Sequence, residues 1–216
     1  MDLKDKGRKI SEVLGRIIKQ EREIESDLDE SAWGRVLIGA MGYIGTEATI
    51  SKLFRLMGLF KSEESRFEVC SAIGNIASRN QDSLVEKLIA DADKANDIYS
   101  YIFIFKEMLC YNERPFKALI PLIRWLFARS AQKFDVDSNY FITAECVGIC
   151  ALMSTEALRA VLEHSRSQNE NQRFVVANSL RFGLEHHRKG ELYIDEYVDN
   201  IGKRCVIQCG WRQTLR

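Results

Sequence analysis

Apolar residues recur three and four positions apart along most of this chain, with polar residues between them, which is the signature of helices that bury one side. The pattern also repeats at larger scale. Gly42, Gly74, Lys106, Gly148 and Arg181 align as anchors at steps of 32, 32, 42 and 33 residues. Two positions before each anchor stands a small or apolar residue (Ala40, Ala72, Ile104, Cys146, Ser179), and directly before it an apolar one (Met41, Ile73, Phe105, Val147, Leu180). The spacing predicts helix pairs whose first members run over about 31–45, 63–78, 97–111, 138–152 and 170–187. Their second members fall over about 47–60, 81–94, 115–130, 154–166 and 191–204. Helical units of this period cannot bury their faces alone and must stack, so the chain reads as all-α, an α-solenoid or α-α superhelix. The array is expected over residues 1–204, about five hairpins, with 205–216 as a tail outside the repeat.

Local signals refine the picture. An amphipathic segment over 11–26 precedes the array, with Val13, Leu14, Ile17, Ile18 and Ile24 on one side. Ser154 before Thr155 and Glu156 is a natural N-cap. Pro115 suits a helix start, whereas Pro121 inside the apolar run 116–127 is expected to kink or locally break its helix. The stretch 131–137, which accounts for the longest step, is expected as a surface loop. Tyr99, Tyr101, Phe103 and Phe105 alternate as a strand would. Their place between helical units instead favours a helix, with 99, 102, 105 and 109 as its stripe. Gly74 is expected to face the neighbouring helix.

Lys plus Arg and Asp plus Glu both number 31, so no global field attracts nucleic acid or an anionic membrane, and a charged partner must be met locally. No apolar run is long enough to span a bilayer and no signal core follows the N-terminus, which points to a soluble protein of the cytoplasm or nucleus. Cys146/Cys150 and Cys205/Cys209 sit at i and i+4, a spacing open to metal ligation. In register, however, Cys146 stands where Ala40 and Ala72 do, Cys150 where Ile44 and Ile76 do, and Cys70 where Ile38 does, so buried packing is favoured. His164 reads as lying on a polar helix face, and His186 and His187 as lying in a charged helix end. Phosphate-loop, zinc-protease, nucleophile-elbow and dinucleotide motifs are absent; Gly39, Gly42 and Gly45 lie in a helical pattern, where they favour close helix approach. Acidic pairs at Glu63/Glu64, Asp91/Asp93 and Asp195/Glu196 read as solvated helix faces and first-turn charges. Binding, rather than catalysis, is the expected activity, with no cofactor, metal or small-molecule substrate.

The stretch from Thr143 to Leu158, with Ala144-Glu-Cys-Val-Gly148 followed by Thr155-Glu-Ala-Leu158, resembles a late HEAT repeat of the CAND family, the cullin-associated, neddylation-dissociated factors. Trp33 to Gly45, Glu68 to Ala77, and Tyr101 to Leu109 through Lys106-Glu107 are similar to helices of that family in the same order, so the resemblance spans about residues 30–203. It implies HEAT-like helical hairpins that bind a cullin scaffold and regulate assembly of cullin–RING ubiquitin ligases. It covers only several late repeats of a very long solenoid and reaches neither the family's adaptor-competing β-hairpin nor its N-terminal arm. The alternative is an importin-like or adaptin-like transport or trafficking solenoid, which should show acidic inner helices, whereas these second helices are mixed. In HEAT arrays the second helices generally line the concave surface. The partner-binding candidates are therefore Lys52, Arg55, Glu86, Lys87, Arg124, Arg159 and Glu163.

Overall fold

The structure, a computed structural model, describes Glu12 and residues 32–60, 62–111, 114–132 and 138–187; side chains at 32–37, 138 and 183–187 lie outside the description. The described residues form helices joined by turns, with no strand among them. In chain order these are α1 (Ala32–Ile44), α2 (Glu47–Leu59), α3 (Glu63–Ser78), α4 (Gln81–Ala92), α5 (Ile98–Tyr111), α6 (Leu119–Ser130), α7 (Ser138–Met153), α8 (Thr155–Glu163), a 3-10 turn (His164–Arg166) and α9 (Glu170–His187). The expected first helices match α1, α3, α5, α7 and α9 to within a residue or so, and α2, α4, α6 and α8 answer to the second helices. The segments expected at 11–26 and 191–204 lie outside the described residues, apart from Glu12, which is helical.

Short polar side chains set the starts. Ser62 Oγ accepts the Ser65 amide at 3.1 Å, and Ser154 Oγ the Ala157 amide at 3.1 Å, as its N-cap position requires. Asp97 accepts both the amide and the hydroxyl of Ser100 before α5, while Asn169 Oδ1 accepts the Gln172 amide before α9. The prolines differ from expectation. Pro115 precedes α6, which begins at Leu119, so Pro121 falls in the first helical turn. Amides there have no intrahelical acceptor, hence Pro121 costs no hydrogen bond and imposes no kink.

The chain divides into two compact units between Trp125 and Leu126, a boundary within α6. In the first, α1, α3 and α5 pack side by side as one layer, with α2 against α3. The anchor glycines sit at these contacts. A Cβ on Gly42 would lie 2.9 Å from Ala72 Cα of α3, and one on Gly74 would lie 2.9 Å from both Ile104 O and Met108 N of α5. Gly45 is equally confined, by Met41 O and Ile76, whereas Gly39 faces open space and has no such role. Ile38, Met41, Leu53, Val69, Ile73, Ile76, Leu84, Ile102, Phe105 and Leu109 fill the core.

Polar ties join the helix pairs at separations of about one repeat. Arg79 reaches back to the end of α1, donating to Gly42 O at 2.8 Å and Gly45 O at 2.9 Å, where helical carbonyls lack partners. Arg66 pairs with Asp97, Ser71 Oγ donates to Glu107 at 2.9 Å, and Trp125 Nε1 donates to Asp93 at 2.8 Å. Asp82 accepts the Lys117 amide at 2.8 Å. The carboxylates Asp82 and Asp93 thus serve as structural acceptors.

In the second unit α7 packs along α9, and α8 lies against α7. Residues 146–151 of α7 are buried without interruption, so this helix is enclosed on nearly every side. Gln172 Nε2 donates to Phe127 O at 2.9 Å and Asn169 Nδ2 to Ala131 O at 3.1 Å, closing the carbonyl end of α6. No helix among the described residues is long and apolar enough to cross a membrane.

Candidate functional site

The seven candidate residues fall on second helices, as their register requires, but in different units. Lys52 and Arg55 lie on α2, Glu86 and Lys87 on α4, and Arg124 on α6, all in the first unit. Arg55, Glu86, Lys87 and Arg124 are exposed, whereas Lys52 is half-buried. Lys87 Nζ meets Glu47 Oε1 at 3.1 Å and so links α4 to the start of α2; part of its charge is spent within the chain. Arg159 and Glu163 belong to the second unit, exposed four residues apart on α8 and hence on one side of it. α2 turns Ile50, Leu53 and Leu56 inward, which leaves Ser51 and Arg55 exposed on its other side.

Nothing in this set supplies a nucleophile with its base. Among the described residues no group of three or more His, Cys, Asp or Glu side chains is placed to hold a metal ion. Cys146 and Cys150 are buried thiols in the α7 core, and Cys70 is buried with its Sγ 3.5 Å from Met57 Sδ. Burial pushes the Cys70 thiol up to about 12, and it raises Cys150 as well. A thiol held protonated is a poor nucleophile and ligand. Cys205 and Cys209 lie outside the described residues. We expect native-state alkylation to modify exposed Cys110 quickly and to spare Cys70, Cys146 and Cys150 until denaturant is added, as read by mass spectrometry of peptides. Rapid native labelling of Cys150 would contradict its burial. His164 does not stand on a polar face; it ends α8 with its ring stacked on Phe127, centroids 3.9 Å apart.

One feature escaped the pattern of anchors although it is written in the same register. Seven positions before the second to fifth anchors stand Phe67, Tyr99, Phe141 and Phe174, all aromatic. In the first unit Phe67 stacks on Phe103 at 4.7 Å between centroids and meets Tyr99 edge-on at 5.8 Å. In the second, Phe141 meets Phe174 edge-on at 5.4 Å and Phe182 at 6.4 Å. Phe141 and Phe174 remain 44% and 39% exposed, and Phe174 also meets Tyr140 edge-on at 6.2 Å. Counting back from the anchors would have found this row; a search for catalytic spacing could not.

Comparison with protein-family models, with curated proteins and with solved structures finds no match.

Proposed function

We propose that this chain is a short α-solenoid of HEAT-like hairpins that binds another protein through the polar faces of its second helices. The observation that carries the reading is the placement of Gly42 and Gly74, one period apart, each at the contact with the next first helix. Ties such as Arg79 to Gly42 and Trp125 to Asp93 span about one period as well, and nearest-neighbour connectivity of this kind supports a reading as stacked repeats. Under the CAND resemblance the partner is a cullin scaffold, met in the cytoplasm or nucleus, and the role is regulation of ligase assembly. Lys52, Arg55 and Arg124 provide the positive part of the contact surface, Glu86 the negative.

The test is calorimetric titration against the receptor-binding half of a cullin, with an unrelated helical-repeat array as control. A small rigid interface of mixed charge gives weak binding. Reversing Lys52, Arg55 and Arg124 together should weaken it roughly tenfold, since three surface charges, Lys52 half-buried and the other two exposed, at about 0.5 kcal/mol each sum to that. Each reversal alone should have a slight effect. Binding no tighter than to the control would remove the cullin assignment.

A further inference from the structure

Two sulfur atoms meet where α2 lies against α3. The Cys70 thiol of α3 is buried and donates to the Met57 thioether of α2, with Sγ and Sδ 3.5 Å apart. About one turn earlier on α2, Phe54 stacks on Tyr101 of α5 at 5.3 Å, so neighbouring positions of this helix reach both α3 and α5. The two sulfurs differ in what an oxidant can do to them. A thiol reacts as its thiolate, and burial pushes the Cys70 thiol up to about 12, so it keeps its proton at neutral pH. A thioether has no proton to lose and reacts as it stands. Exposure then decides which methionine is reached. Met41 and Met108 are fully buried and Met153 nearly so, whereas Met57 is half-buried, which makes it the most open methionine among the described residues.

We propose that Met57 is a redox-sensitive clasp between α2 and α3, opened when a peroxide oxidises its thioether to the sulfoxide and closed when a dithiol-dependent reductase removes the oxygen. In the opening step sulfur attacks one peroxide oxygen, the O–O bond breaks, an S–O bond forms and water leaves. Sulfur loses two electrons and the peroxide gains them. In the closing step two thiols become a disulfide and the oxygen departs as water. Oxidation turns an apolar, flexible side chain into a polar one at a helix contact. The hydrogen-bond donor at hand is the buried Cys70 thiol, a weak one. It replaces little of the hydration that a sulfoxide oxygen loses inside the contact, so the side chain turns to solvent and α2 loses its hold on α3. The clasp acts on the α2–α3 contact itself and does not depend on which partner meets Lys52 and Arg55.

Accessible thiols of the full native chain are first blocked by alkylation, hydrogen peroxide is added, and peptide mass spectrometry follows oxygen uptake at each methionine. Met57 should gain oxygen roughly tenfold faster than Met41, Met108 or Met153. The melting temperature should then fall by about 3–8 °C, and hydrogen exchange should quicken over α2 while α7 and α9 keep their protection. Methionine sulfoxide reductases of both epimer specificities, given dithiothreitol, should restore both readings. Met57→Leu keeps the volume and removes the reactive sulfur, so its melting should not respond to peroxide; any oxidation of Met1 is common to both chains. Met57→Gln, a polar stand-in of similar length, should melt low without peroxide. Should Met57→Leu not fold, the oxygen uptake and melting of the unaltered chain decide. Oxidation of the buried methionines at the same rate, a sulfoxide at Met57 with unchanged melting, an equal peroxide response in Met57→Leu, or Met57→Gln melting with the unaltered chain would each overturn the assignment.

Discussion

Gly74→Leu should lower the unfolding free energy by about 1–3 kcal/mol, toward the upper end of what overpacking normally costs. A Cβ at this position meets Glu107 Cβ at 2.6 Å and backbone atoms of α5 at 2.9 Å. A flexible side-chain tip can swing aside, but backbone cannot, so α3 and α5 must separate along a contact that also carries the Ser71–Glu107 hydrogen bond. For a chain of this size the melting temperature should fall by roughly 2–4 °C for each kcal/mol. Gly39→Ala supplies the control. It lies in α1 with nothing within 4 Å of its added Cβ, and replacing glycine by alanine in a helix is worth up to about 1 kcal/mol. The two substitutions should therefore move stability in opposite directions. If Gly74→Leu melts with the unaltered chain, the anchor register does not describe the packing of the first helices.

Part of the register was legible because the close approach of two helices admits little besides glycine or alanine, a demand met at Gly42 and Gly74, whereas the anchors Lys106 and Arg181 carry no such signal. Helix ends were legible where a side chain makes the cap, as at Ser154. They were not legible at α6. There, Pro115 and Pro121 both fit the rule for a first turn, and only the backbone decides which one occupies it. Buried cysteines could be placed because Cys70 and Cys150 share register positions with isoleucines. The aromatic row was hidden for a different reason. A ring is equally at home in a core, so its presence in an amphipathic pattern says nothing about which side it takes, and the ion pair of Lys87 with Glu47 is likewise invisible until α2 and α4 are side by side. Contact surfaces are the least legible part of such a fold, because exposed charge has no period that packing must respect.

The run Tyr99, Tyr101, Phe103 and Phe105 yields the other large effect. On a strand a step of two residues would keep all four rings on one face, whereas on a helix each such step turns the side chain through about 200°. Tyr101 and Phe105 thus form one stripe and Tyr99 and Phe103 the opposite one. That differs from the expected stripe through 99, 102, 105 and 109, because Tyr99 is only half-buried and leaves it. Phe105 is fully buried and packs edge-on against Trp125 at 5.4 Å, whereas Phe103 is partly exposed and stacks on Phe67. Phe105→Ala should cost about 3–5 kcal/mol, the loss of a large buried ring plus the cavity it leaves. Phe103→Ala should cost about 1 kcal/mol, because its neighbours can be rewetted and only the ring pair is lost. Urea unfolding of the two variants, compared at unchanged m-value, reads the difference directly. Equal losses would mean that α5 is buried on both sides.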